Sequence, residues 1–252
     1  MKPWLAVAPV VLVVLSGCDR SKSSPTGGEG ATSGGASSGS PRTVEFDVET
    51  LGAPPRALEP VVGAWAIAQL AGEIGLQVDG SRWRVGTPSA NLADQAKRLY
   101  GDRSAEFLDG VKASASFPLA IAKEPPPSGD LKLSVRFYPF GGKVDQAAGI
   151  AFGIAPDGSY AAVAGSALAN DFSYFTVVKG KQTIVDTIRD VPTPTRTWHT
   201  LVVELRGSQL TVRLDNTPRL ERKLDAAPVG RVGLWSKADS QVLFDDFVVA
   251  KP

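Results

Sequence analysis

Alternation of apolar and polar residues with a period of two recurs through most of the chain beyond Arg42, and that period fits strands and not helices. In Asp130-Leu131-Lys132-Leu133-Ser134-Val135-Arg136-Phe137-Tyr138 the apolar Leu131, Leu133, Val135 and Phe137 fall on one face. Lys132, Ser134, Arg136 and Tyr138 fall on the other. Such a segment gains by lying as a strand with one face in a core. Trp198–Arg206 and Gln209–Asp215 repeat the pattern, and Gly207 between them can supply the positive φ of a tight hairpin. Lys179-Gly180-Lys181 separates two further β-rich runs. Strands are also expected at Val44–Glu49, Ala64–Leu70, Phe117–Lys123, Gly149–Ala155, Ser159–Ala164, Phe172–Val178, Gly230–Lys237 and Val242–Val249. So many short strands with regular turn signals predict an all-β fold, a two-sheet sandwich of jelly-roll type.

One stretch breaks the alternation. Ser89–Leu99 places Leu92, Ala96 and Leu99 at helical spacing behind a Ser89 suited to cap the first turn, and Tyr100-Gly101 would end it. A second short helix is expected over Ser104–Val111. Together they predict a small helical insertion at about 89–112, packed against the sandwich as cover for a sheet edge or one end of the core.

The N-terminal part reads differently. Behind Met1 and Lys2, an apolar run from Trp4 to Leu15 ends in Leu15-Ser16-Gly17-Cys18, which holds the only cysteine of the chain. The run is too short for a stop-transfer helix, and small residues precede the cysteine where a peptidase needs access. The arrangement looks like a bacterial lipoprotein signal. It implies a signal peptide over residues 1–17, a lipidated Cys18 carrying acyl chains such as palmitate, and a partner in the membrane. Residues 18–42 are rich in Ser, Gly, Thr and Pro and bury too little to offset the entropy of ordering, so a disordered tether is expected there. The sandwich domain is expected over 43–252. The predicted location is the bacterial cell envelope, lipid-anchored and facing the periplasm or the surface. Lys and Arg number 27 against 26 Asp and Glu, and this near balance argues against a nucleic-acid partner.

Four segments, Gly142–Ile150, Trp198–Leu201, Val232–Ser240 and Phe244–Phe247, are similar in order and spacing to the concanavalin A-like jelly-roll domains of bacterial secreted proteins. More narrowly they resemble laminin G-like domains and relatives of the 3-keto-disaccharide hydrolase domain. The resemblance implies the sandwich fold and a sugar-related surface. Where such domains carry an arginine, a Tyr-Tyr pair and an Arg-Ala-Asn run, this chain has Gly153, Tyr160-Ala161 and Ala164-Gly165-Ser166. Of those sugar-facing positions, Tyr160 survives.

Three clusters are candidates for chemistry. Glu45-Phe46-Asp47-Val48-Glu49 matches the Glu-x-Asp-x-Glu strand of a retaining β-glucanase family, where alternation would set three carboxylates on one face. The alternative is a solvated face opposite a core face of Val44, Phe46 and Val48. His199, the sole histidine, opens a strand and is read as packed or hydrogen-bonded. A structural calcium ion joining the first and last strands would find hard oxygen ligands in Glu45 or Asp47 and in Asp245 or Asp246, the alternative being exposed edge charges.

Parity also sketches a ligand-binding face from Arg136, Tyr138, Glu204, Arg213, Trp235 and Lys237, with Tyr160 added from the resemblance. The alternative has Trp235 filling the seam with the helical insertion. The expected function is a lipid-anchored, lectin-like glycan-binding domain without catalysis, its partner an oligo- or polysaccharide. A glycoside-cleaving enzyme and a structural or protein-interaction module are the alternatives.

Overall fold

A computed structural model describes residues 41–82, 88–114 and 117–252. The expected signal peptide, Cys18 and nearly all of the expected tether lie outside the described residues. Along the chain the elements are β1 (Arg42–Val44), β2 (Leu58–Val62), β3 (Trp65–Leu70), β4 (Glu73–Asp79), α1 (Leu92–Tyr100), α2 (Ser104–Ser114), β5 (Leu119–Ala122), β6 (Leu131–Gly141) and β7 (Ala147–Ile154). Then follow β8 (Tyr160–Ser166), β9 (Asp171–Val178), β10 (Lys181–Arg189), β11 (His199–Arg206), β12 (Gln209–Leu214), β13 (Thr217–Lys223), β14 (Arg231–Ser236) and β15 (Gln241–Ala250). Among the described residues no helix is long and apolar enough to cross a membrane.

The strands form two antiparallel sheets, the jelly-roll sandwich that the alternation predicts. An eight-stranded sheet runs β13-β12-β11-β6-β15-β4-β3, with β1 added on β15, and a seven-stranded sheet runs β10-β9-β8-β7-β14-β5-β2. Leu131, Leu133, Val135 and Phe137 of β6 face inward and meet Phe152, Val163, Phe172 and Leu234 of the other sheet, while Arg136 and Tyr138 face out. The Lys179-Gly180 turn has positive φ at both residues (47° and 76°), the geometry that lets a two-residue hairpin follow the strand twist.

A second core lies on the outer face of the seven-stranded sheet. Leu92, Ala96 and Leu99 of α1 and Phe107 and Val111 of α2 pack there on Ala151, Ala162, Phe175 and Trp235. The helices therefore cover a sheet face, and α1 also reaches the edge strand β2, where the Gln95 Nε2 donates to the Pro60 carbonyl at 3.0 Å. This two-sided burial explains why β7 reads Ala-Ala-Gly-Ile-Ala-Phe-Gly-Ile without alternation. Ser89 does not cap α1: it stands in the preceding turn, its Oγ accepting the Asn91 N–H at 3.3 Å.

The first strand departs from expectation. β1 ends at Val44, and residues 47–49 form a turn in which the Glu49 N–H donates to the Phe46 carbonyl at 2.9 Å. The reason lies in β15, whose one edge is shared. β4 pairs with Gln241–Phe244 of β15 and β1 pairs with Phe247–Val249, so β1 has to stop where β4 begins. Phe46 stays buried, but Val48 is 77% exposed and does not join the core face expected for it.

Candidate functional site

The junction at which β15 passes from β4 to β1 is irregular. The register of β15 against β6 shifts between Asp245 and Val248, and Asp246 takes a φ of 49°. A bulge of this kind re-aims side chains. Here Asp245 and Asp246 both turn toward Arg136, at 3.6 and 3.2 Å from its Nη1. The β3–β4 hairpin, turning through Ala71 and Gly72, brings Glu73 to 3.0 Å from Nη2. With Asp47 from the turn after β1, these groups line an open recess of about 470 Å³.

The other flank of Arg136 is aromatic. Its guanidinium carbon lies 4.3 Å from the Trp198 ring centroid, and Trp198 meets Tyr138 at 5.4 Å between centroids. The ladder explains this: Thr200 pairs with Arg136 and His199 with Phe137, so Trp198 arrives beside Tyr138 on the outer face. Burial, followed by the negative charges of Asp246 and Asp47, pushes the Asp245 carboxyl up to about 6, against the pull of the Asp246 N–H and of Arg136.

Arg136, Tyr138, Asp47, Asp245 and Asp246 are thus brought together as candidates, and Trp198 and Glu73 complete the group. The alternation expected over Trp198–Arg206 already sets Trp198 on the face of Glu204, though it was not among the candidates. Glu73 gave no such signal, because a hairpin delivers it. Glu45 is exposed and does not line the recess, and the cation held by the acidic groups is the Arg136 guanidinium. Among the described residues no three His, Cys, Asp or Glu side chains are grouped to hold a metal ion.

The remaining candidates lie elsewhere. Glu204 and Arg213 share the outer face of the eight-stranded sheet, but Glu204 pairs across the ladder with Lys132, four residues from Arg136 and about 13 Å along the strand. Tyr160, Trp235 and Lys237 belong to the opposite sheet, so no single face unites the set. Trp235 is 1% exposed, packed between Phe117 and Phe175 beneath the helices, with its Nε1 donating to the Tyr160 hydroxyl at 3.3 Å. It fills the seam with the insertion, because parity marks the outer face of β14 but the helices take that face away from water. The Glu45, Asp47 and Glu49 carboxylates do not share a strand face either, and Glu49 accepts the Arg56 N–H at 2.8 Å. His199 is 3% exposed and held at both ring nitrogens, by Asp215 at 2.7 Å and the Pro194 carbonyl at 2.9 Å.

Lys237 joins a smaller groove on the seven-stranded sheet. Its Nζ lies 2.7 Å from Asp145, which also accepts the Ser166 hydroxyl at 2.7 Å. Asp171 lines the same groove, and burial and then the charge of Asp145 raise its carboxyl above the ordinary range. The segments that carry the family resemblance meet nearby. The Asp239 carboxylate accepts the N–H groups of Lys143, Val144 and Asp145, and the Ser240 hydroxyl accepts that of Ala147.

Comparison with solved structures finds the sandwich in a carbohydrate-binding module, CBM66, from Bacillus subtilis, with a TM-score of 0.55 and 14% identity over 77% of this chain and 96% of that one. A cellulose-induced protein, Cip1, gives a TM-score of 0.47 and 10% identity over 79% of this chain and 90% of that one. The galectin LEC-6 of Caenorhabditis elegans gives 0.40 and 12% over 49% of this chain and 86% of that one. What these likenesses share is fold. No protein-family model and no curated protein matches the chain.

Proposed function

We propose that the chain is a glycan-binding, lectin-like domain that acts without catalysis, anchored by lipid at Cys18 in the bacterial cell envelope and facing the periplasm or the surface. The single observation that carries the reading is the Arg136 cluster. Sugar recognition needs acceptors and donors for hydroxyl groups beside an apolar ring for the C–H face. Asp245, Asp246 and Glu73 supply acceptors, Arg136 supplies donors, and Tyr138 and Trp198 supply the rings. The fold likeness to a protein described as a carbohydrate-binding module supports the same reading. So does the resemblance of Gly142–Ile150 and Val232–Ser240 to the laminin G-like and 3-keto-disaccharide hydrolase group, within which we place the sandwich.

A glycan array probed with the purified protein tests this. Binding of oligosaccharides that disappears in Trp198→Ala and weakens in Tyr138→Ala is expected. Binding that survives both variants overturns the assignment of the site. An array without signal overturns the function in favour of a structural or protein-interaction module.

One observation favours a second reading, glycoside cleavage. Asp145 and Asp171 line one groove with Lys237, and burial raises the Asp171 carboxyl, the direction a general acid requires. Hydrolysis of β-glucans or 3-keto-disaccharides by the parent, lost in Asp171→Asn, would establish it.

A further inference from the structure

The recess around Arg136 holds more negative charge than its own arginine answers. Asp47, Glu73, Asp245 and Asp246 line it, and among the described residues Arg136 is the only cation on its wall. Burial, followed by the charges of Asp246 and Asp47, raises the Asp245 carboxyl to about 6. Even with that group protonated, three carboxylates face one guanidinium. The surplus is within reach of a ligand, because the Asp246 and Glu73 side chains are 48% and 38% exposed and Asp47 stands in an exposed turn. A recess lined by one sign of charge concentrates ligands of the other.

Asp245 adds an observation of another kind. It is 7% exposed and lines the recess, yet no described side chain comes within hydrogen-bond distance of its carboxylate, the Arg136 Nη1 standing at 3.6 Å. A buried carboxylate so placed wants a donor. Apart from Arg136, the one side-chain donor on the described wall is the Gln69 amide, which is neutral and leaves the charge as it is. On the far flank of Arg136 the rings of Trp198 and Tyr138 continue the same outer face. A ligand that suits both parts carries a positive charge close to C–H surface.

We infer that the glycan taken by the Arg136 cluster bears a free amino group, as a hexosamine without its acetyl group does. The ammonium meets the carboxylates of Asp47, Asp245 and Asp246, and Arg136 and Gln69 are left to hydrogen-bond hydroxyl groups. An acetylated hexosamine offers the same ring hydroxyls but no charge, and leaves the surplus of the recess uncompensated. The site therefore discriminates by charge. This inference rests on the glycan-binding reading and names the class of sugar within it.

Calorimetric titration of the purified protein with short oligomers of D-glucosamine and of N-acetyl-D-glucosamine, near neutral pH, tests it. The glucosamine oligomer is expected to bind tighter by roughly tenfold or more, and added salt to narrow that ratio. Asp47→Asn should narrow it as well, and the salt dependence of the parent decides the matter if that variant does not fold. Equal affinity for the two oligomers, or a ratio that salt leaves unmoved, overturns the inference while the glycan-binding reading stands. Putrescine that displaces the glucosamine oligomer at equal concentration also overturns it, since a bare amine then suffices. Glucosamine binding that survives Trp198→Ala lies elsewhere and counts against it too. Binding of neither oligomer overturns it, and the glycan array then shows whether the glycan-binding reading falls with it.

Discussion

Gly110 in the middle of α2 meets the Asp157 carbonyl on the turn between β7 and β8 backbone to backbone, with no room for a Cβ between them. Glycine inside a helix costs about 1 kcal/mol relative to alanine. Here it lets the helix seat on the sheet. Gly110→Ala should therefore gain that propensity and still lose, because overpacking against a carbonyl costs about 1–3 kcal/mol. Urea unfolding is the measurement, and a more stable variant would show that the close approach does not matter.

The Asp245 carboxyl gives the domain a pH dependence of definite sign. Its folded-state value of about 6 lies above the ordinary 3.8, so the stabilisation belongs to the protonated form. It is complete below about pH 4 and is lost as pH rises through 6. The shift sets a ceiling of about 3 kcal/mol, which solvent screening in an open recess reduces to about 1–2. Asp245→Asn should match the parent near pH 4 and exceed it by that amount near pH 7.5 in denaturant titrations.

Two tryptophans should respond by very different amounts. Trp235→Ala empties the second core and should cost about 3–5 kcal/mol. Trp198→Ala removes a cation–π contact at a half-exposed ring and should cost about 0.5–1 kcal/mol. Thermal melts distinguish them, and a large loss in Trp198→Ala would recast that residue as structural.

Arg136 is the cation that Asp245, Asp246 and Glu73 face, at 3.6, 3.2 and 3.0 Å. Chelation is expected to leave the melting temperature of the parent unchanged. In Arg136→Met the carboxylates lose their counter-charge, and the domain should melt earlier than the parent with or without chelator. A parent that melts earlier with chelator would restore the ion.

Cys18→Ser should abolish labelling with a fatty-acid analogue and leave the precursor uncleaved. Mild proteolysis of the parent should release a stable fragment beginning near Thr43. Lipid labelling that persists in the variant would remove Cys18 from the account.

What was legible in the sequence depended on which surface faced water. β6 and β12 have one wet face, and their alternation reads directly as strands with a core side. β2 is buried on both faces and holds Pro60, while β13 is an edge strand with most residues exposed, so neither shows a period of two and neither was anticipated. β4 carries Gly75, which reads as a break; a Cβ there would run into the Phe244 carbonyl, so the glycine serves strand packing. Trp235 was placed on the correct side of β14, but parity does not say what covers that side. The candidate site draws Asp47, Glu73 and Asp245 from three separate segments through a bulge and a hairpin, and no local pattern records such a meeting.

Because β1 and β4 share one edge of β15, the chain enters the domain through a ladder of three residue pairs, Arg42 to Val249, Thr43 to Val248 and Val44 to Phe247. Mechanical load from any point upstream of Arg42 falls on that ladder first. Peeling it would draw Phe46 out of the core and carry Asp47 away from the recess around Arg136. Tension on the N-terminal segment would then strip one carboxylate from the cluster before the rest of the sandwich yields, coupling the pull on the chain to the charge of the site.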